Sequence, residues 1–360
     1  MDFRKKTIRD IDWQGKVALV RVDYNVPLKD GEIVDDMRIR ASLPTIEYLV
    51  DHGAKKVVLI SHLGRPEGQV KPELSLKPVV MQLAVLLAGK RSRVHFMNKT
   101  VGPEVKSFIE RVDDGSVILL ENLRFSPDEE ANSEEFAKQI VDATGADVFV
   151  QDGFAVIHRT HASTDALARL LPGVAGLLVE KEVSSLEGAI SDPEHPVLVI
   201  IGGAKVADKQ PLIERFLPIA DSIAVGGKIA ADGYEASDPK IFVANGFAQN
   251  NEGAKLDIDE ASANHIIEMI KGAKTIVWNG TMGMTEEAEF SAGSRKIAEA
   301  MGHLDGVTTI VGGGDTAGYV ESLMKEDKSL NFSLVSTGGG ASLELLSGET
   351  LPGLEVLQNR

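Results

Sequence analysis

The sequence predicts an α/β fold made of two doubly wound parallel sheets, each covered by helices on both faces. Short runs of β-branched residues alternate with longer amphipathic stretches along the whole chain. Strands that alternate with helices form parallel sheets that are buried on both sides. The series occurs twice, and a chain of 360 residues is too long for one typical core. We therefore expect two Rossmann-like domains joined by a hinge helix.

The individual elements follow from these runs. In the first half we interpret four runs as strands: Val17–Val22, Val57–Ile60, Val117–Leu120 and Val148–Val150. Arg38–His52 and Ser133–Thr144 lie between them and have the spacing of amphipathic helices. The second half contains six further predicted strands: Val197–Ile201, Ser222–Val225, Ile241–Ala244, Thr275–Trp278, Thr308–Val311 and Leu334–Ser336.

The domain boundary is predicted near the middle of the chain. Pro172 and Gly173 end the first series, and Val179–Ala189 has the pattern of a connecting helix. We expect an N-terminal domain over 1–172, a hinge helix over 173–190 and a C-terminal domain over 191–345.

Composition excludes several classes of function. The 38 basic and 54 acidic residues give a formal charge of −16, so a nucleic-acid or acidic-membrane partner is not expected. There is no cysteine, which excludes disulfides, thiol catalysis and thiolate metal sites. Met1–Asp12 lacks the apolar core of a signal peptide, and the longest apolar runs are far shorter than a membrane span. We therefore expect a cytoplasmic protein.

In the first half, each predicted strand runs into cations or polar groups. Ligands of parallel sheets collect beyond the carboxyl ends of the strands. A single arginine there is usually a solvated surface residue, but four such ends in an acidic protein favour a small polyanionic ligand, which arginine binds well. The residues are Asp23, Asn25 and Arg38; His62, Leu63, Gly64 and Arg65; Arg124; and Asp152, His158, Arg159 and His161.

The strand ends of the second half are rich in glycine. One such junction is weak evidence, because tight turns use glycine anyway. Five on one sheet edge indicate a nucleotide site, because glycines permit close backbone approach and N–H groups at a helix start bind anions. The strings are Gly202-Gly203-Ala204-Lys205, Gly226-Gly227, Asn279-Gly280, Gly312-Gly313-Gly314-Asp315-Thr316 and Gly338-Gly339-Gly340.

Two residues of this edge have alternative interpretations. Asp315 fits either a helix N-cap or a magnesium ligand beside phosphates. Lys205 is either a surface lysine or, at a helix start after two glycines, a phosphate-binding cation.

Other classes of protein remain open at this point. No Walker A string occurs. Gly312-x-Gly314-x-x-Ala317 fits the dinucleotide fingerprint, but the next predicted strand ends without an acidic residue for a ribose. A dinucleotide-dependent dehydrogenase is therefore the weaker enzyme hypothesis, and a protein that binds ligands without reaction is also possible.

Taken together, these strings resemble the phosphoglycerate kinase family over essentially the whole chain. The motifs RVDYNVP, DDMRIRASLPTI, SHLGRP, LLENLRF, HRTHAST, GGAKVADK, KTIVWNG, GGGDT and STGGGASLELL occur in the family's order. The resemblance implies a monomeric glycolytic enzyme that transfers a phosphoryl group between 1,3-bisphosphoglycerate and ADP, giving 3-phosphoglycerate and ATP, with magnesium (Mg2+). It also implies that the segment 346–360 returns to the N-terminal domain.

Site residues carry over from the resemblance where the motifs match. The expected substrate contacts are Asp23, Asn25, Arg38, His62, Leu63, Gly64, Arg65, Arg124 and Arg159. The expected nucleotide contacts are Gly203, Ala204, Lys205, Lys209, Gly226, Asn279, Glu286, Gly313, Gly314, Asp315 and Thr316, and Asp315 is the expected metal ligand. His158 and His161 share the motif of Arg159 and are expected behind these contacts.

The implied reaction needs little covalent chemistry from the protein. A carboxylate that attacks ATP needs no general base, so catalysis depends on alignment and on stabilisation of the transferring charge. Arg38 and Lys205 are the candidates for that catalytic role.

The sequence also departs from the family pattern. Lys228 follows Gly226-Gly227 where glycine is usual, Asp259-Glu260 replace a Gly-Pro pair, and the stretch 228–255 is shorter by what we interpret as a helix and a strand. A divergent paralogue that binds ligands with impaired turnover is therefore an alternative hypothesis.

Overall fold

A computed structural model describes residues 3–90 and 93–360. The chain divides into two compact units. The N-terminal unit contains the residues up to Lys181 together with Thr350–Arg360, and the C-terminal unit is Glu182–Glu349.

The N-terminal unit begins with a short 3-10 helix (Ile8–Asp10) and then alternates strands with helices. Its strands are β1 (Val17–Arg21), β2 (Leu28–Lys29), β3 (Glu32–Ile33), β4 (Lys56–Ile60), β5 (Val94–Met97), β6 (Ser116–Leu120), β7 (Val148–Gln151) and β8 (Gly173–Ala175). Its helices are α1 (Met37–Asp51), α2 (Lys77–Leu86), α3 (Pro103–Arg111), α4 (Pro127–Glu130), α5 (Glu134–Thr144) and α6 (Leu167–Leu170), followed by α7 (Leu177–Ser191), which continues past Lys181.

Six of these strands form one parallel sheet in the order β5-β6-β4-β1-β7-β8, and β2 and β3 form a small antiparallel pair. Strands β4 and β6 are buried at every position, as expected for a sheet covered on both faces. The chain leaves β1 toward β4 and returns on its other side as β7. The sheet edge beyond β1 and β7 is therefore a topological switch point, where α/β folds bind ligands.

Local sequence signals set the helix ends in this unit. Helix α5 begins after Ser133, whose Oγ accepts a hydrogen bond of 3.2 Å from the N–H of Phe136. It ends at Gly145, which has a φ of 62° and so occupies the left-handed conformation that glycine tolerates.

The last residues of the chain pair with the first ones in the N-terminal unit. The N–H of Lys6 donates to the carbonyl of Gln358 at 2.8 Å, and the N–H of Gln358 donates to Gly173 at 3.0 Å. Nζ of Lys5 donates to the carbonyl of Glu355 at 2.9 Å. Helix α14 (Pro352–Glu355) lies in this segment.

The C-terminal unit repeats the architecture. Its strands are β9 (Val197–Ile201), β10 (Ser222–Val225), β11 (Ile241–Val243), β12 (Phe247–Gln249), β13 (Lys255–Ile258), β14 (Thr275–Asn279), β15 (Thr308–Gly312) and β16 (Leu334–Val335). Its helices are α8 (Val206–Phe216), α9 (Gly227–Ala231), α10 (Glu260–Gly272), α11 (Ala292–Gly302), α12 (Gly314–Glu326) and α13 (Gly340–Leu346).

The parallel sheet of this unit has the order β11-β10-β9-β14-β15-β16, with β12 and β13 as a separate antiparallel hairpin. Counted along the chain, this is the strand order 3-2-1-4-5-6 of doubly wound folds. The switch point lies between β9 and β14, whose carboxyl ends carry two of the glycine strings.

The prediction of two doubly wound parallel sheets is confirmed. All ten predicted strands are present, whereas β5, β8 and the two small hairpins were not predicted from the sequence. The predicted hinge helix over 173–190 also differs, because Gly173–Ala175 pairs with β7 as strand β8 and the helix runs over Leu177–Ser191. Within the described residues, no helix is long and apolar enough to span a membrane.

Candidate active site

Polar contacts in the N-terminal unit join the ends of β1, β4 and β6. Arg38, in the first turn of α1, forms an ion pair with the carboxylate of Asp23. The N–H of Gly64 donates to Oδ1 of Asn25 at 2.8 Å. Nη1 of Arg124 donates to the carbonyl of Gly64 at 2.8 Å. The loops after three neighbouring strands are therefore linked to one another by the predicted substrate residues themselves.

Charges converge on His62, which is 3% exposed. Burial lowers the pKa of His62 well below its ordinary value, and the positive charges of four arginines lower it further. In decreasing order of effect these are Arg21, Arg124, Arg38 and Arg159. The positive charge of four arginines thus acts on one imidazole that carries no charge at neutral pH, and Arg21 is in direct contact with it.

The other two histidines of this edge are also neutral. Burial lowers the pKa of His161 to about 4, helped by Arg124 and Arg159, and burial lowers that of His158. Positive charge in the cluster therefore comes from arginine alone, and it does not change across the physiological pH range.

The predicted substrate residues differ in exposure. Leu63 is 2% exposed and packs in the core, so it holds the loop and cannot offer a side chain to a ligand. Arg124 is also buried, whereas Arg65 and Arg159 are exposed. Arg65 makes no side-chain hydrogen bond or ion pair with any described residue.

Two charged residues of this cluster were not identified from the sequence. Arg21 is 1% exposed at the end of β1, and its Nη2 lies 3.0 Å from Nδ1 of His62. Glu129 in α4 is completely buried, and burial raises the pKa of its carboxyl group while Arg21 lowers it. The only sequence signal for Arg21 was a charged residue inside an apolar strand.

In the C-terminal unit, glycines let the ends of β9 and β14 touch. The N–H of Gly202 donates to the carbonyl of Asn279 at 3.0 Å, and the N–H of Gly203 donates to the carbonyl of Thr281 at 2.8 Å. A Cβ atom on Gly202 or Gly280 would collide with the backbone of the opposite strand end. This edge is therefore bare backbone, as close approach to a ligand requires.

Side chains connect this edge to the neighbouring strand. Nζ of Lys209, in α8, donates to Oδ1 of Asn279. The N–H of Gly280 donates to Oγ1 of Thr316 at 2.9 Å, which ties β14 to the start of α12. Asn279 is fully buried, and its Nδ2 has no hydrogen-bond partner among the described residues. A buried amide donor without a partner is costly unless a ligand accepts from it.

Two helices begin at this edge. Lys205 is the exposed N-cap residue of α8, and Gly313 is the N-cap residue of α12 with a φ of 91°. Gly203 and Ala204 immediately precede the start of α8. Free N–H groups of the first helical turn favour anions at both places.

The N-cap interpretation of Asp315 is wrong. Gly313 is the cap, and Asp315 lies two residues later, in the first turn of α12, with no side-chain capping hydrogen bond. Its carboxylate is exposed and has no ion pair with any described residue. Gly226 is the N-cap of the five-residue helix α9, and its N–H donates to the carbonyl of Ile201 at the end of β9 at 2.8 Å. Glu286 is an exposed residue of the loop after β14.

The residues at this edge fit magnesium in one particular way. No group of three or more carboxylate or histidine side chains that could hold a metal occurs in residues 3–90 and 93–360. A preformed all-protein metal site is thus absent from that part of the chain. One exposed carboxylate next to the free N–H groups of a helix start is an arrangement by which proteins bind magnesium together with phosphates and water.

The dinucleotide hypothesis does not fit this geometry. The string Gly312-x-Gly314-x-x-Ala317 lies after β15, the fifth strand of its sheet, whereas the dinucleotide fingerprint follows the first. Strand β16 then leads to Ser336 and Thr337, which carry no charge for a ribose.

Comparison with known proteins gives a consistent result. The family model "Phosphoglycerate kinase" matches residues 8–245 and 231–349. Phosphoglycerate kinases of Roseiflexus sp. (strain RS-1) and Moorella thermoacetica are each 42% identical to this chain, over 400 and 401 residues. The alignments cover 99% of this chain and 99% and 100% of the two relatives.

Solved structures give the same result. The crystal structure of phosphoglycerate kinase from Pyrococcus horikoshii OT3 superimposes with a TM-score of 0.84 at 29% identity. The structure of phosphoglycerate kinase from Coxiella burnetii superimposes with a TM-score of 0.78 at 31% identity. Each comparison covers 98% of both chains.

Two doubly wound units, with an arginine cluster on one and a glycine-lined edge on the other, define a two-domain phosphotransferase. The chain belongs to the phosphoglycerate kinase family. It is a glycolytic kinase that uses ATP or ADP and has a carboxyl group as phosphoryl acceptor.

Proposed function

We propose that the arginine cluster of the N-terminal unit binds 3-phosphoglycerate or 1,3-bisphosphoglycerate, and that the glycine-lined edge of the C-terminal unit binds the magnesium nucleotide. The observation that carries the first assignment is the convergence of Arg21, Arg38, Arg124 and Arg159 on one neutral histidine. Arg38 and Arg124 pair with the carboxylates of Asp23 and Glu130, and Arg21 faces buried Glu129. The exposed Arg65 and Arg159 have no such partner among the described residues, so an anionic ligand would balance their charge.

The substrate contacts divide into two groups in this proposal. Exposed Arg65 and Arg159 pair with phosphate oxygens, and Arg38 turns from Asp23 toward the carboxyl or acyl-phosphate end. Asp23 and Asn25 hold the loops after β1 and β4 in place through their contacts with Arg38 and Gly64.

The nucleotide phosphates lie against the starts of α8 and α12. Lys205 and Lys209 supply positive charge, and Nδ2 of Asn279 donates to a phosphate oxygen. Asp315 holds the Mg2+, which would neutralise charge on the phosphates when bound.

The transfer itself then requires no general base. In the direction of ATP use, a carboxylate oxygen of 3-phosphoglycerate forms a bond to the γ-phosphorus while the bond from that phosphorus to the bridging oxygen of ADP breaks. Arg38 and Lys205 stabilise the charge that spreads over the three equatorial oxygens. Because the two ligands bind on different units, phosphoryl transfer requires a movement that brings the two ligands together. Helix α7 is the proposed hinge for this movement.

A coupled assay tests the function. Purified protein with 3-phosphoglycerate, ATP and magnesium should form ADP and 1,3-bisphosphoglycerate, detected by reduction of the acyl phosphate with a coupling dehydrogenase. Tight binding of both substrates in calorimetry without turnover would instead indicate a paralogue that only binds. We also propose that the enzyme acts as a cytoplasmic monomer, which light scattering would test against the chain mass of 38.6 kDa.

A further inference from the structure

Four buried or nearly buried side chains form a chain of hydrogen bonds behind the arginine cluster. The members are Glu129, Ser163, Arg21 and His62, and each is at most 3% exposed. We call this chain the Glu129–His62 relay.

The donors and acceptors of the relay are fixed by chemistry. A guanidinium group has only donors. Nε of Arg21 donates to Oγ of Ser163 at 2.9 Å, and Nη2 of Arg21 lies 3.0 Å from Nδ1 of His62. Because Arg21 can only donate, Nδ1 of His62 must be the acceptor and cannot carry a proton.

The other end of the relay keeps Arg21 charged and oriented. The single hydroxyl proton of Ser163 is directed to Oε1 of Glu129 at 2.5 Å, and the N–H of Ser163 donates to Oε2 at 3.1 Å. Both carboxylate oxygens therefore accept hydrogen bonds, and Glu129 provides the buried negative charge that a buried guanidinium requires.

The alternative tautomer has weaker support. With a proton on Nδ1, His62 would have to donate to Oδ1 of Asp23, which is 3.8 Å away and beyond hydrogen-bonding distance. The same oxygen already accepts from the N–H of Asn25 at 3.1 Å. The charged groups that face His62 are Arg21 and Asp23 from β1 and the loop after it, Arg38 from α1, Arg124 from the turn after β6, and Arg159 from the segment after β7. Four of these five are cations, which disfavour a charged imidazole.

We propose that Arg21 is a positioning residue: with Ser163 and Glu129 it holds His62 as the neutral tautomer with its proton on Nε2, which then donates to an anionic oxygen of the substrate. The role toward substrate rests on the proposed function of the arginine cluster. Among residues 3–90 and 93–360, Nε2 of His62 has no hydrogen-bond partner, so its proton is available for a ligand. The site thus combines permanent cations with one neutral, directional donor.

The tautomer can be read directly by NMR. In protein labelled with 15N in the histidine rings, Nδ1 of His62 should have the chemical shift of an unprotonated nitrogen and Nε2 that of a protonated one. Both shifts should stay constant from about pH 5.5 to pH 8, a range in which ordinary histidines titrate. Loss of the signal in His62→Gln assigns it. A proton on Nδ1, or titration at an ordinary pKa, would overturn the proposal.

Variants test the role of the relay. Arg21→Met removes the nearest cation and the donor, so His62 should titrate at a higher pKa and bind 3-phosphoglycerate as a cation at low pH. Lowering the pH from about 8 to about 5.5 should then decrease the KM for 3-phosphoglycerate in the variant. This decrease should be roughly tenfold larger than the one measured in wild type. Wild type measured at the same pH values corrects for protonation of the substrate phosphate. Arg111→Met, which removes an exposed arginine of α3, is the matched control and should follow the wild-type profile.

The outcomes separate this inference from the proposed function. Ser163→Ala keeps the charge of Arg21 and should produce a smaller pKa change in the same direction. The tautomer is read from the wild-type spectrum, so it does not depend on the folding of Arg21→Met or Ser163→Ala; only the assignment of the signal uses His62→Gln. Addition of 3-phosphoglycerate should shift the Nε2 resonance and leave Nδ1 unprotonated. The correct tautomer without any response to 3-phosphoglycerate would overturn the donor role and the substrate assignment together, whereas a protonated Nδ1 would overturn only the relay.

Discussion

The buried carboxylate of Asp152 accepts a hydrogen bond of 3.0 Å from the N–H of Leu178, in the first turn of α7. Its Oδ1 fills the space beside Gly176, and its Oδ2 has no hydrogen-bond partner among the described residues. Burial raises the pKa of Asp152 to about 8, although hydrogen bonds from Thr45, Leu178 and Val179 partly oppose this. The start of the proposed hinge helix therefore rests on a carboxyl group that is protonated at neutral pH.

This relationship predicts a stability that falls with rising pH. The ordinary pKa of 3.8 applies to the unfolded chain, so the folded chain binds more protons between about pH 4 and pH 8. The stabilisation by the protonated Asp152 carboxyl group is fully present below the pKa of the unfolded chain. It is lost as the pH rises through the pKa of the folded chain. Asp152→Asn mimics the protonated group and should remove this dependence, raising the free energy of unfolding at pH 8 by roughly 1–3 kcal/mol.

Urea denaturation at about pH 5 and pH 8 measures this effect. Fluorescence of Trp13 in a Trp278→Phe background reports on the N-terminal unit, because the chain has only two tryptophans. Asp142→Asn, an exposed position on α5, is the control. Equal pH dependence in wild type and Asp152→Asn would show that the carboxylate is charged in the folded state.

Lys205→Ala should reduce kcat by roughly a hundredfold or more and leave stability unchanged. Lys205 is an exposed N-cap residue whose side chain makes no capping bond, so its removal costs no packing. A group that stabilises transferring charge is typically worth about 3–4 kcal/mol. Steady-state kinetics and thermal unfolding measure the two effects. Lys274→Ala, at the opposite end of β14, is the control, and near wild-type turnover in Lys205→Ala would contradict the catalytic assignment.

Arg65→Ala should raise the KM for 3-phosphoglycerate by roughly tenfold and leave the KM for ATP nearly unchanged. The exposed guanidinium of Arg65 has no partner in the described residues, and loss of one charge-assisted contact costs about 1.4 kcal/mol or more. Arg111→Ala removes an exposed arginine elsewhere in the same unit. Equal effects on both substrates would contradict the assignment of this unit to 3-phosphoglycerate.

Asp315→Asn should weaken binding of magnesium nucleotide and lower activity. Since Gly313 is the cap, the only structural loss is a favourable charge in the first turn of α12, which is worth about 0.3–1 kcal/mol. Calorimetry with ADP in the presence and absence of magnesium separates metal from nucleotide binding. The variant should lose the enhancement by magnesium, while Asp305→Asn, in the loop before β15, should keep it. Unchanged affinity for the magnesium complex in Asp315→Asn would assign the metal elsewhere.

The nucleotide base should be held less closely than in the relatives. An alignment of 400 residues leaves at least 40 positions without a counterpart in this 360-residue chain. The two matched segments of the family model overlap at residues 231–245, directly after the five-residue helix α9. If fewer apolar side chains contact the purine base, the binding free energy of the nucleotide is weaker by on the order of 1 kcal/mol. We therefore expect kcat/KM for GTP within about tenfold of that for ATP. A thousandfold preference for ATP would contradict this.

The sequence predicted the sheets because most of their strands contain short runs of buried, β-branched residues. Val197–Ile201 is fully buried, and such a run of β-branched residues has few other interpretations. Strand β8 was missed because Gly173–Ala175 is three residues long and follows a Pro-Gly turn signal. Strand β5 was missed because Val94–Met97 contains a histidine and is only partly buried.

Side-chain roles were predicted for residues that follow a strand or that match a motif of the family. Arg21 lies inside the run Val17–Val22, and its contact with His62 depends on the pairing of β1 with β4. Glu129 belongs to an acidic stretch that is indistinguishable from a solvated helix start until burial is known. Such contacts depend on residues that are 41 and 34 positions apart, which local patterns do not relate.

The pairing of Lys6 with Gln358 also sets an order of events on the ribosome. Thr350–Arg360 belongs to the same unit as the first residues of the chain, with 168 residues of the other unit between them. At about 5–20 residues per second, synthesis of those residues takes roughly ten to thirty seconds. During translation the nascent N-terminal unit must wait for its last segment, while the unit encoded second can already close. The part of the enzyme that is made first is therefore the part that is finished last.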